Sequence, residues 1–122
     1  LATGEIAMQK MALFAFRGEL SCFVHVLLNA IDMREKGDEV KIVLEGEATR
    51  LVAELAKPDN HLHALFEKTK GLGLIAGVCR ACSHQLGSQE AAVAEGFALL
   101  DDMHGHPGMA RYMDEGFTVL IF

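Results

Sequence analysis

Apolar positions along this chain alternate between short unbroken runs and longer stretches with helical spacing. Met11-Ala12-Leu13-Phe14-Ala15-Phe16 is wholly apolar, which predicts a strand buried on both faces. After the loop Arg17-Gly18-Glu19-Leu20-Ser21 the rhythm changes. From Cys22, Phe23, Val26, Leu27, Ala30 and Ile31 recur three and four apart, forming one helical stripe. Lys36-Gly37 ends that helix with a basic turn and a glycine suited to positive φ. Val40-Lys41-Ile42-Val43-Leu44 predicts the second strand. Glu45-Gly46-Glu47 then leads into a helix from about Ala48 to Ala56, stopped by Pro58.

Asp59 or Asn60 can cap a third helix carrying Leu62, Leu65 and Phe66 and ending in Lys68, Lys70 and Gly71. Leu74 to Val78 predicts the third strand, with a short helix from near Ala81 to Gly87. Ser88-Gln89-Glu90-Ala91 reads as another helix start, and Phe97-Ala98-Leu99-Leu100 as a short fourth strand. His106-Pro107-Gly108 introduces a last helix with Met109, Tyr112 and Met113 on one side, and Phe117 to Phe122 is the final strand. Strands alternating with helices imply right-handed crossovers. The expected fold is one α/β domain over 1–122: a three-layer α/β/α sandwich around a parallel sheet of about five strands.

Composition narrows the function. Hydrophobic residues make up 51% of 122, enough for a single core, and the formal net charge is −6. An acidic chain without clustered Lys or Arg is not expected to bind nucleic acid or an anionic membrane. No apolar run is long enough for a membrane span. Leu1 to Lys10 lacks the pattern of a signal peptide, and the missing initiator Met points to a trimmed start. Three cysteines are too few for a disulfide-framed secreted domain, so a reducing cytoplasm is expected.

The candidate chemistry lies in Leu74-Ile75-Ala76-Gly77-Val78-Cys79-Arg80-Ala81-Cys82-Ser83-His84. A cysteine at a strand end, with a second at a helix start, sits where partial positive charge favours a thiolate. Arg80 adds a fixed charge, and His84 is placed to adjust proton occupancy. Active sites of open parallel sheets form outside the carboxyl ends of strands, at the switch in strand order. Glu45, after strand two, is therefore a candidate base, and Cys22 and His25, one helical turn apart after strand one, are candidates to approach Cys79. Cys79, Cys82 and His84 with Cys22 or His25 form a competing four-ligand set for zinc. His104 and His106, flanking Gly105 before Pro107, can coordinate a metal or transfer protons, but a solvated loop explains them at least as well. No glycine-rich nucleotide loop opens a helix, so no nucleotide cofactor is expected.

The order of elements, the Glu45-Gly46-Glu47-Ala48 turn, the strand ending in Cys79 and the closing Glu115-Gly116-Phe117-Thr118-Val119-Leu120 resemble the DsrE/DsrF-like family of small sulfur-relay proteins. The resemblance covers about Met11 to Phe122. It implies a five-stranded parallel sheet, assembly into homotrimers or hexamers, and a persulfide carried on Cys79 between donor and acceptor proteins. Cys82 departs from the simplest relay pattern, because it can resolve a Cys79 persulfide to a disulfide and release sulfide. The expectation is a cytoplasmic sulfur carrier with catalytic Cys79 and Cys82. The alternatives are a metal-binding or thiol-redox module, and a structural oligomer whose cysteines are core.

Overall fold

The computed structural model describes residues 8–122. The signal-peptide reading of the first ten residues therefore lies, for Leu1 to Ala7, outside the described residues. Five parallel strands form one sheet: β1 (Lys10–Ala15), β2 (Glu39–Leu44), β3 (Ile75–Cys79), β4 (Leu99–Leu100) and β5 (Thr118–Ile121). Their order across the sheet is β4-β3-β2-β1-β5. The helices between them are α1 (Leu20–Glu35), α2 (Leu51–Leu55), α3 (His63–Gly71), α4 (Arg80–Gln85), α5 (Gln89–Ala94) and α6 (Met109–Asp114). A 3-10 turn, Gly46–Arg50, precedes α2.

Side-chain alternation along the strands builds two cores. Met11, Leu13 and Ala15 of β1, with Ile42 and Leu44 of β2, pack against Phe23, Val26 and Leu27 of α1 and Phe66 of α3. Ala12, Phe14 and Val43 point the other way, onto Tyr112 of α6 and Phe117. Phe14 and Phe117 meet the Tyr112 ring edge-to-face, at centroid distances of 5.5 and 5.9 Å. The three-layer α/β/α arrangement follows from strands apolar on both faces.

The strand order follows from handedness. Three successive crossovers carry the chain from β1 to β4 in one direction. The last connection returns past the whole sheet to place β5 on the free side of β1, with α6 on the opposite face. The reversal of strand order thus lies between β1 and β5, which corrects the expected placement at the switch: Glu45 and Cys79 stand at the ends of β2 and β3 instead.

Element ends shift by a residue or two from the sequence expectation. The third helix begins at His63, because the Asn60 side-chain oxygen accepts the Leu62 amide and holds that segment as a turn. The last helix corrects the expected shared face: Tyr112 is buried, while its neighbour Met113 is exposed. Gly77 has a specific task. A Cβ there would lie 2.6 Å from the Ala98 carbonyl oxygen and 2.8 Å from Leu100 Cγ, so β4 reaches β3 only across a glycine. No helix among the described residues is long and apolar enough to cross a membrane.

Candidate functional site

Four side chains converge at the carboxyl ends of β2 and β3: Glu45, Cys79, Cys82 and His106. One donor atom from each lies within 4.8 Å of all the others. Cys79 closes β3 and caps α4, its Sγ accepting the Cys82 amide at 3.3 Å. This cap explains the CxxC spacing. A residue three positions beyond a cap has its own N–H aimed at the capping atom, and its side chain lies on the same turn. Glu45 follows Leu44, whose β3 partner is Val78, so the register places Glu45 beside Cys79.

His106 arrives from far along the chain. After β4, Met103 and His106 form a closed turn, their amides each donating to the other's carbonyl at 2.7 and 2.9 Å. The two central residues, His104 and Gly105, both have positive φ, at 50° and 87°, as a type I′ turn requires. His104 is the sole non-glycine residue with positive φ among those described. The Gly105 carbonyl accepts the Ala81 amide at 2.9 Å, fastening the turn to α4. The result is a Cys79 Sγ–His106 Nδ1 distance of 3.1 Å, with Cys82 Sγ 3.6 Å from the same nitrogen.

Burial sets the electrostatics. Cys79 is fully buried and Glu45 is 6% exposed, whereas Cys82 and His106 are half-buried. Loss of solvation pushes the Cys79 thiol up to about 12. The Cys82 amide pulls it back, and the neighbouring Cys82 and Glu45 charges push it up again. Desolvation likewise raises the Glu45 carboxyl to about 7. This corrects the expectation that the helix start alone makes Cys79 a ready thiolate: burial outweighs the one amide.

Other expected participants lie elsewhere. Arg80 is exposed and directs its Nε to Asp101 Oδ2 at 2.8 Å. Cys22 and His25 sit near the start of α1, which packs on β1 and β2, and neither joins the cluster. Cys22 neighbours the Arg17–Glu19 ion pair, whose Nε–Oε1 distance is 3.2 Å. His84 is exposed and lines a cavity of about 350 Å³ with Arg80, Ala81, Gln89 and Gly105. The expected set of Cys79, Cys82 and His84 with Cys22 or His25 does not assemble; the group close enough to share an ion is Glu45, Cys79, Cys82 and His106. The sequence favours neither a solvated loop nor a metal- or proton-handling role for His106, and the fold brings it to the thiols. The available signal was the Asp101-to-Gly108 segment itself, where a histidine is pinned between a glycine and a proline.

No protein-family model matches the chain, and no solved structure matches it. The uncharacterized protein MJ0733 of Methanocaldococcus jannaschii is 36% identical over 97 residues, covering 80% of this chain and 77% of its own length. An uncharacterized protein of Archaeoglobus fulgidus is 33% identical over 49 residues, covering 40% of this chain and 80% of its own length.

Proposed function

The chain belongs to the family of the Methanocaldococcus jannaschii protein MJ0733, and for its cysteine–histidine site we propose a sulfur-carrying role. The observation that carries this reading is the 3.1 Å approach of Cys79 Sγ to His106 Nδ1, with a second thiol on the same nitrogen. A thiol held near 12 by burial needs a base within hydrogen-bond reach to act as a nucleophile. In the tautomer with its proton on Nε2, His106 supplies that base at Nδ1.

The cycle balances as thiol exchange. His106 Nδ1 takes the Cys79 proton, and the thiolate attacks the outer sulfur of a donor persulfide. The donor's S–S bond breaks, a Cys79–S bond forms, and the departing donor thiolate takes the proton from His106. An acceptor thiol then attacks the outer sulfur of the Cys79 persulfide and regenerates Cys79. Alternatively, Cys82 attacks the inner sulfur, giving a Cys79–Cys82 disulfide and sulfide. Full burial of Cys79 shelters the persulfide, while the half-buried Cys82 and His106 form the side from which a partner approaches.

This role agrees with the likeness to the DsrE/DsrF-like family and with a cytoplasmic, oligomeric protein exchanging sulfur with donor and acceptor proteins. Intact-mass spectrometry of reduced, metal-free protein treated with polysulfide tests it. The expected result is a gain of whole sulfur atoms in the wild type, absent in Cys79→Ser and slowed in His106→Gln. Wild-type protein that gains no sulfur would refute the role.

A further inference from the structure

We propose that Glu45, Cys79, Cys82 and His106 form a binding site for a divalent transition-metal ion of borderline softness, zinc or ferrous iron being the chemical type. The inference goes beyond the sulfur-carrying role and does not rest on it.

The first argument is geometric. A tetrahedral ion with bonds of about 2.3 Å to sulfur and about 2.0 Å to nitrogen holds neighbouring sulfur and nitrogen ligands about 3.5 Å apart. Here the two sulfur–nitrogen distances are 3.1 and 3.6 Å, and no donor pair exceeds 4.8 Å. Small rotations of four side chains would complete the shell. The backbone is already in place, because each ligand is fixed by a separate constraint. Glu45 is set by the β2–β3 register, Cys79 and Cys82 by the α4 cap, and His106 by the turn fastened to Ala81.

The second argument is charge. Two thiols, a carboxyl and an imidazole are packed together, and the guanidinium nearest in sequence, on Arg80, is spent on Asp101. In their ligand-competent forms these groups carry three negative charges in a largely buried space, which is costly unless a cation is shared between them. A divalent ion reverses that cost and favours deprotonation of the same groups. Two thiolates with an imidazole and a carboxylate suit zinc or ferrous iron rather than calcium or magnesium, which take oxygen shells.

The test uses full-length protein, stripped with chelator under a phosphine reductant and titrated with Co(II), then displaced with Zn(II). The expected result is one equivalent of Co(II) with thiolate-to-cobalt charge-transfer bands and the intense visible bands of a tetrahedral ion. Cys82→Ser halves the charge-transfer intensity, and Glu45→Gln and His106→Gln each weaken binding at least about tenfold. Cys22→Ser and His84→Ala leave the titration unchanged. Should Cys79→Ser fail to fold, by circular dichroism, the other variants decide. Absent thiolate bands, or a titration insensitive to His106→Gln, would overturn the proposal. Sulfur uptake is read on metal-free protein by mass, so either idea can fail while the other survives.

Discussion

Replacing Glu45 by Gln in reduced, metal-free protein removes a charge that the fold cannot solvate, and the consequence is pH-dependent stability. The Glu45 carboxyl is raised from 4.5 to about 7 by burial alone. Between those values the folded state holds a proton that the unfolded chain has released. The stabilisation from this held proton is complete below pH 4.5 and is lost as pH rises through about 7. At about 1.4 kcal/mol per pKa unit, the loss approaches about 3 kcal/mol in the wild type. Gln keeps the shape of the protonated acid and does not titrate. Urea unfolding of both proteins should therefore give similar stabilities near pH 4.5. The Gln variant should then gain steadily with pH and level off above about pH 7. Chelator is essential, since a bound cation would favour the carboxylate and erase the difference. A gap between the two proteins that stays flat across this range would show that the Glu45 carboxylate is solvated, and would refute the electrostatic account of the site.

Three further outcomes follow from the same geometry. His106→Gln should slow alkylation of Cys79 at neutral pH by about a hundredfold, followed by mass spectrometry of the modified peptide, because the ring nitrogen in contact with its Sγ is lost. Arg80→Gln should change that rate less than about twofold, since its guanidinium is exposed and engaged by Asp101 in an ion pair worth under about 1 kcal/mol. Gly77→Ala forces a methyl to within 2.6 Å of the Ala98 carbonyl oxygen; it should cost about 1–3 kcal/mol in urea unfolding and weaken Co(II) binding through displacement of the turn bearing His106.

The parts of this structure that were legible in the sequence are those governed by local periodicity. The buried run Met11 to Ala15 and the stripe Phe23–Val26–Leu27–Ala30–Ile31 gave β1 and α1 because burial on two faces, or on one helical stripe, leaves a periodic trace. Cys79, Cys82 and Glu45 were also legible, the first two as thiols at a strand end and a helix start and the third as the residue just after β2. His106 was hidden because it meets Cys79 across 27 residues, through a turn of His104 and Gly105 that no periodicity announces. Arg80 was misassigned for the same reason: its partner Asp101 lies 21 residues away, beyond β4. Cys22 was drawn toward the site by its place after β1. Its helix packs on β1 and β2, and its side chain is not among the four that converge.

The sulfur-carrying role rests on whether a loaded Cys79 gives its sulfur away or discards it. The direct measurement loads reduced, metal-free protein with polysulfide, removes the excess, and adds cyanide as the acceptor while following protein mass and thiocyanate together. A carrier yields thiocyanate in proportion to the sulfur lost, returns to the mass of the free thiols, and loses both signals in Cys79→Ser. Sulfide release without thiocyanate, leaving a chain lighter by the two hydrogens of a Cys79–Cys82 disulfide, would contradict carriage.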